Sequence, residues 1–249
     1  MADWDDLLPD DPALAREMRR EFEELGPEED AAKLRRGIEI RAIARLHAGG
    51  GEVGKVQSEV STPYRHYFKV EDHKLRHQRY DGSWTGELDR AVFVAGDAVT
   101  VLPYDPVRDE VLMVEQFRLG PYARGDRNCW TIEAIAGRID KMEAPAETAR
   151  REAVEEAGLK LDDLIKIGEY YASPGGFTEY LTSYLALTDL SDAGGVHGLD
   201  HEEEDIRSIL KPAEEAIAMI GTAEIRNAPL IVSLLFLARE RSRLRAEAG

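Results

Sequence analysis

The chain has 249 residues, 43% of them hydrophobic, and carries 49 acidic against 32 basic side chains for a formal charge of −17. That much apolar side chain supports a core for one large domain, or one domain plus a smaller one, and excludes wholesale disorder. The charge removes any general electrostatic reason to hold DNA or RNA, and an anionic ligand would need something cationic to bridge it.

One cysteine, Cys129, excludes an intramolecular disulfide framework and a multi-cysteine zinc site. The first residues, MADWDDLLPDD, are acidic and lack the apolar run of a secretory signal. The longest apolar stretch, Ala228 to Ala238, is too short to cross a bilayer. The expectation is a soluble, cytoplasmic, globular protein with no nucleic-acid or membrane partner.

In chain order, Asp11 to Leu25 and Glu29 to His47 show apolar residues recurring at three and four, and predict two helices ended by Gly49-Gly50-Gly51. Tyr64 to Tyr80 carries aromatics, valine and alternating charges and reads as strand, followed by an Asp81-Gly82 turn signal and a strand from Glu87 to Val94. Val99 to Tyr104 and Glu110 to Phe117 are strands joined by the hairpin loop Asp105–Asp109. Trp130 to Ile135 is a short apolar strand that runs into Ala136-Gly137. A helix from Pro145 to Ala157 starts on a tolerated proline and stops at Gly158. Strands at Leu164 to Tyr171 and Tyr180 to Leu187 precede a Gly-, His- and acid-rich loop from Ser191 to Asp205. Helices at Pro212 to Ile220 and Pro229 to Arg245 close the chain. Strands at the centre with helices around them predict an α+β class with a mixed sheet. The expected organisation is a helical extension over 1–50, a small β domain over 51–96 and a main domain over 97–249.

The stretch from Gly137 to Leu159, GRIDKMEAPAETARREAVEEAGL, concentrates the chemistry. On the helix Glu152, Glu155 and Glu156 stand at i, i+3 and i+4 and share one face, with Ala149, Ala153 and Ala157 read as the opposing apolar stripe. Three crowded carboxylates repel each other, and a bound divalent cation resolves the repulsion; all-oxygen ligands favour Mg²⁺ or Mn²⁺ over zinc. Arg151 can hold a carboxylate in place, and Gly137 lets a strand end pass close over the cluster. The competing reading is a solvated, glutamate-rich helix face.

The whole pattern is stricter: Gly137, five residues, Glu143, seven residues, Arg151-Glu152, two residues, Glu155-Glu156, one residue, Gly158, then Leu159. It resembles the Nudix box, matched at every fixed position, with Ala153 where the family more often has a larger aliphatic. The resemblance implies a Nudix fold, an α/β/α sandwich whose box forms loop–helix–loop. It also implies Mg²⁺-dependent hydrolysis of a nucleoside diphosphate linked to another moiety, by attack of water on phosphorus. Carried over by position, Glu152, Glu156 and the carbonyl of Ala136 are metal ligands. Glu155 is a ligand or a supporting carboxylate in catalysis, and Arg151 is its orienting partner.

The segments RHQRYDG, LPYDPVRDEVLMVEQFR, IEAIAG, ASPGGFTE and HGLDHEEEDIR are similar to bacterial ADP-ribose pyrophosphatases, a resemblance that spans about Tyr64 to Ala238, most of the chain. In such enzymes the acidic loop supplies the water-activating carboxylate and one more metal ligand, and the resemblance assigns these to Glu202 and Glu204. The competing reading is a solvated acidic loop. Arg118 and Arg90 suit phosphate or ribose oxygens through their rigid guanidinium forks, or else form surface ion pairs. Glu133 precedes the box on a strand and can accept hydrogen bonds. Glu179 falls where related enzymes contact substrate, with Ser173 in the same pocket. Tyr67 can stack on adenine or belong to a core.

The strands from Tyr64 to Val94 leave exposed edges that must be covered. Similar ADP-ribose enzymes cover them by exchanging this domain within a homodimer, which implies that Arg90 and Tyr67 act across the interface. The expected activity is cleavage of ADP-ribose to AMP and ribose 5-phosphate. The alternatives are a GDP-mannose or other nucleotide-sugar pyrophosphatase, and, from another class, a non-catalytic regulator that binds ADP-ribose.

Overall fold

The computed structural model describes residues 51–53, 56–139, 143–199 and 204–248. The two helices expected before residue 50 lie outside the described residues. The chain divides into two compact units, Met1–Val94 with Asp140–Ala144 and Ala95–Ile139 with Pro145–Gly249.

The first unit holds a four-stranded antiparallel sheet in sequential order: β1 (Gly51–Val53), β2 (Val56–Arg65), β3 (Lys69–His77) and β4 (Leu88–Val94). The run from Tyr64 to Tyr80, read from sequence as continuous strand, is broken by a reversal in which the His66 amide donates to the Phe68 carbonyl at 2.9 Å. The first half of β2, VQSEVS, is mostly polar and gives no strand signal by composition. Its pairing with β3, Val56 opposite His77 and Ser58 opposite Leu75, makes it strand all the same. The Asp81-Gly82 turn is present, with Asp81 Oδ1 accepting from the Ser83 amide at 2.9 Å and the Ser83 hydroxyl at 2.6 Å.

The second unit is built on a mixed sheet. Its strands are β5 (Ala98–Asp105), β6 (Glu110–Phe117), β7 (Trp130–Glu133), β8 (Ile135–Arg138), β9 (Asp163–Tyr171), β10 (Tyr180–Leu187), β11 (Val196–His197) and β12 (Ile206–Pro212). The order is β11-β12-β6-β5-β10-β9, and β10 runs parallel to β5. The helices are α1 (Leu119–Arg124), α2 (Pro145–Ala157), α3 (Ala213–Ala218) and α4 (Ala228–Ala248). Every residue of β5 is buried, as a strand covered on both faces must be. Val99, Val101, Leu112 and Val114 pack with Ala149, Ala153 and Ala157 of α2. The alternate residues Leu102, Tyr104, Val111 and Met113 pack with Ala213 and Ala216 of α3 and Leu230, Leu234 and Leu237 of α4. Period-two alternation thus sorts the sheet into two cores, one under α2 and one under α3 and α4, which is the expected α/β/α sandwich.

β5 and β6 pair with each other only beside their hairpin, Tyr104 with Val111 and Asp105 with Glu110. Beyond that they part. β7 pairs with β6 and β8 pairs with β5, and the chain changes partner at the buried Ala134. The segment expected as one strand from Trp130 to Ile135 is therefore two, on opposite arms of a fork. β12 and α1 were not anticipated. The five residues of β12 before its last two, Ile206–Leu210, sit between an acidic loop and a lysine-proline pair, and pairing with β6 on one side and β11 on the other makes them a strand. Among the described residues no helix is long and apolar enough to cross a membrane.

Asp109 closes the β5–β6 hairpin in the left-handed region, φ 61°, which aspartate tolerates better than most residues. Its carboxylate accepts from the Tyr104 hydroxyl at 2.9 Å, from Arg241 Nε at 2.8 Å and from Arg241 Nη2, and it faces Arg245 at 3.2 Å. Its carbonyl accepts from the Ala213 amide at 2.8 Å. One turn residue therefore ties α3 and α4 to the sheet. The Arg241 bonds hold its carboxyl below the ordinary value of 3.8. A depressed carboxylate stabilises the fold above its unfolded pKa, and that contribution is lost as pH falls through the folded value. Asp109→Ala is expected to lower unfolding free energy by about 3 kcal/mol at neutral pH. It should also flatten the acid limb of stability below pH ~4. Urea unfolding at pH 7 and pH 3 checks both.

Candidate active site

The site forms at the fork. α2 ends at Gly158, whose amide donates to the Val154 carbonyl at 3.0 Å while the Leu159 amide donates to that of Ala153 at 2.9 Å, a pairing that closes the last turn. Its buried face comprises Thr148, Ala149, Ala153, Glu156 and Ala157. This corrects the expected separation of the glutamates from the alanine stripe. Residues 149, 153 and 156 stand at i, i+4 and i+7, so Glu156 lies in the alanine stripe and is buried with it, at 3% exposure.

Glu156 accepts from the Ala136 amide at 3.2 Å and from the Gln116 side-chain amide at 3.4 Å. Two long bonds do not offset removal from water. Burial pushes its carboxyl up to about 8, against the Ala136 bond, and the fields of Glu152 and Glu204 add to the rise. Glu152 is pushed up to about 7, first by burial, against Arg151, with Glu155 and Glu204 again adding. Arg151 Nη1 bridges Glu152 at 2.8 Å and Glu155 at 2.9 Å, and Nη2 donates to the Arg138 carbonyl at 3.3 Å. The expected orienting arginine thus holds two carboxylates and fixes them to β8.

Gly137 on β8 is the close approach that the sequence suggested. An added Cβ there would lie 1.8 Å from Glu152 Oε1 and 2.4 Å from its Cγ. Ala136, beside it, offers its amide to Glu156. On the other arm of the fork, Arg118 grips Glu133 through Nε at 3.1 Å and Nη2 at 2.9 Å, and the Thr131 hydroxyl donates to the same carboxylate. Burial opposes the Arg118 charge, and Glu133, Glu156 and Glu204 together more than restore it. Glu179 is raised by its burial, against the fields of Arg118 and Arg138.

The structure therefore brings together Ala136, Glu152, Glu155, Glu156, Arg151, Arg118, Glu133, Glu179 and Glu204. Ser173 lies in an exposed turn, where its carbonyl accepts from Gly176 at 3.3 Å and Phe177 at 3.1 Å. Arg90 and Tyr67 belong to the other compact unit: Arg90 is exposed on β4 and donates to the Asp89 carbonyl at 2.7 Å. Tyr67 is exposed and meets Phe68 edge-on, while Phe68 packs on Phe93. Glu202 lies outside the described residues. Gln116 was missed. Its signal was a polar residue continuing the buried stripe Leu112, Val114 on β6.

Among the described residues no group of three His, Cys, Asp or Glu side chains is close enough to hold a metal ion as it stands. The chemistry of the donors still suits a hard cation: carboxylate oxygens at the fork, two of them raised by burial and by neighbouring carboxylates.

A profile of the NUDIX domain matches residues 94–233. The chain is 36% identical over 186 residues to the ADP-ribose pyrophosphatase of Escherichia coli (strain K12), covering 75% of this chain and 88% of that one. It is 33% identical to the ADP-ribose pyrophosphatase of Haemophilus influenzae, covering 71% and 82%. It is 34% identical to the GDP-mannose pyrophosphatase of an Enterobacter species, covering 59% and 76%. A solved structure of an ADP compounds hydrolase superposes with TM-score 0.58 over 78% of this chain and 98% of that one; at 19% identity the likeness concerns the fold alone.

Because the atoms that a Cβ on Gly137 would meet belong to the movable end of Glu152, Gly137→Ala should displace that carboxylate at small cost in stability. The expected result is an unfolding free energy within about 1 kcal/mol of the parent. Turnover of the best substrate should fall by roughly 10²-fold, as for a mispositioned catalytic group. Thermal unfolding and steady-state kinetics on one preparation check the separation.

Proposed function

The chain belongs to the NUDIX domain family and is a hydrolase of that family, and on that premise we propose that it cleaves the pyrophosphate of ADP-ribose to AMP and ribose 5-phosphate in the cytoplasm. The observation that carries the reading is the pair Glu152, half-buried, and Glu156, buried, on α2 at the fork, with their carboxyls raised to about 7 and 8. Such oxygens suit Mg²⁺, with Mn²⁺ able to replace it. When bound, the cation supplies Lewis-acid neutralisation of the pyrophosphate charge.

The residues divide the remaining work. Glu152, Glu156, the Ala136 carbonyl and Glu204 hold the cation. Arg151 keeps Glu152 and Glu155 oriented toward it. Glu133 uses two of the Arg118 donors as a clamp, which fixes the guanidinium plane and leaves its other N–H groups for substrate oxygens. Glu179, half-buried in the field of Arg118, suits ribose hydroxyls. Glu202 takes the proton of the attacking water, and Ser173 borders the pocket.

ADP-ribose is preferred as substrate because the ADP-ribose pyrophosphatases align over more of this chain than the GDP-mannose enzymes do. A non-catalytic binder would have no need of a full set of box carboxylates, and all are present. A panel of ADP-ribose, GDP-mannose, NADH and diadenosine polyphosphates with Mg²⁺ should give the highest kcat/KM for ADP-ribose, with AMP as a product. Glu156→Gln should lower that kcat by about 10²-fold or more with the fold retained. A tenfold preference for GDP-mannose would replace the substrate assignment.

The protein acts as a homodimer in which the β1–β4 sheet of each subunit serves the other, with Arg90 and Tyr67 reaching the partner's substrate. Closed twofold association is the commonest oligomeric form. Mixing Arg90→Ala with Glu156→Gln should recover activity as subunits exchange, since one pairing in the mixed dimer combines both intact halves. A monomer by light scattering, or no recovery after verified exchange, removes the shared site.

A further inference from the structure

Glu204 acts on carboxylates carried by a helix far away in the chain, and its hydrogen-bonded connection to that helix runs through Leu199 and Gly198, beside His197. Near its C-terminal end α2 leaves the Glu155 carbonyl to be satisfied from outside the helix. The Gly198 amide donates to it at 3.2 Å. One residue earlier, the His197 ring packs on the cap of the same helix: a Cβ added to Gly158 would lie 3.1 Å from its Cε1. Nε2 of the ring is 2.9 Å from the Gly194 carbonyl. A carbonyl only accepts, so Nε2 carries the proton and donates. The imidazole is thus pinned between its own loop and the end of the catalytic helix.

On the other side the same segment grips Glu204. The Leu199 amide donates to Glu204 Oε2 at 3.3 Å, and the Glu204 amide donates to the Leu199 carbonyl at 3.4 Å. Gly198 has φ 114°, and an added Cβ would stand 2.8 Å from both the Glu204 Cβ and its carbonyl oxygen. Only glycine fits that backbone in that space. Short pairing of β11 with β12, Val196 opposite Arg207 and His197 opposite Ile206, fixes where His197 stands along β12. The chain of contacts runs from the end of α2, through His197, Gly198 and Leu199, to Glu204, whose field reaches Glu152, Glu156 and Arg118.

We propose that His197 is a positioning residue for cation binding: with Gly198 it seats Leu199, which pairs with Glu204, on the C-terminal turn of the catalytic helix and so sets where Glu204 stands relative to Glu152 and Glu156. This rests on the reading of those glutamates as cation ligands. It assigns no proton transfer and no substrate contact to the histidine.

The test titrates Mn²⁺ alone into the full-length protein by calorimetry, beside thermal unfolding and steady-state kinetics with ADP-ribose. His197→Ala should weaken Mn²⁺ binding by about 10-fold or more and lower kcat with KM little changed, at nearly the parental Tm. His197→Gln, whose amide can donate from the place of Nε2, should return Mn²⁺ affinity to within roughly threefold of the parent. Gly198→Ala keeps the ring but presses on Glu204, and should reproduce the weak binding; it carries the comparison if His197→Ala does not fold. Parental Mn²⁺ affinity in both alanine variants overturns the proposal, as does a loss in His197→Ala that only follows falling Tm and is not restored by glutamine. If the parent binds Mn²⁺ but leaves ADP-ribose intact, the substrate reading fails while the Mn²⁺ comparison still decides His197. A parent that binds no Mn²⁺ overturns both.

Discussion

Holding the Glu156 carboxylate out of water is the constraint around which the second unit is arranged. Desolvating an ion of this kind costs several kcal/mol, and the two bonds it receives, 3.2 Å from a backbone amide and 3.4 Å from a side-chain amide, are at the weak end of the range. The fork follows from it. Had β5 and β6 stayed paired along their length, no strand ends would lie between them, and no amide of β8 would face α2. The partner change at Ala134 places Glu133 on one arm and Ala136 with Gly137 on the other, so one short stretch of chain supplies the clamp on Arg118, a donor to Glu156 and the gap that Glu152 occupies.

The same constraint gives the chain's acidity a location. A formal charge of −17 spread over the surface would matter only for solubility and association. Here burial raises Glu152 and Glu156, neighbouring carboxylates including Glu204 add to the rise of both, and the basic groups among them are already engaged, Arg151 with two glutamates and Arg118 with Glu133. Further positive charge therefore has to arrive with a ligand. On the proposed reading this makes cation and pyrophosphate mutually dependent: neither the acidic site nor the anionic substrate suits the other without the cation between them.

Legibility in the sequence followed the range of the interactions. The box helix was readable to the residue, because helical period, starting proline and closing Gly158 are all local. So was the Asp105–Asp109 hairpin. β12 was not, since its apolar residues Ile206, Ile209 and Leu210 are too few and irregular to mark a strand, and its strand character comes from pairing with β6 and β11. The two-stranded nature of Trp130 to Arg138 was hidden for the same reason: a change of partner leaves no local mark at a small buried alanine. Within the site, the expected face of the glutamates differs from the observed one. Counting i, i+3 and i+4 grouped the three acids, whereas the burial stripe through 149, 153 and 156 separates Glu156 from its neighbours. Gln116 was passed over because a single polar residue on a strand has many explanations, and only contact with Glu156 selects one.

Stability and chemistry occupy opposite faces of the sheet. The larger side chains, Leu230, Leu234 and Leu237 of α4 with Met113 and Tyr104, pack on the face that carries no functional residue, and Asp109 locks that layer to the hairpin. On the other face the small alanines of α2 meet valines and larger side chains such as Leu112, Ile135 and Ile206 from the sheet, and it is there that charged groups are buried. Large side chains along that stripe of α2 would hold the helix off β8 and open the distance between Ala136 and Glu156. Ala153 therefore has a local reason in this chain. It permits the approach on which the Glu156 bond depends, and the apolar area given up on that face is recovered under α4, where packing can be optimised without disturbing a carboxylate.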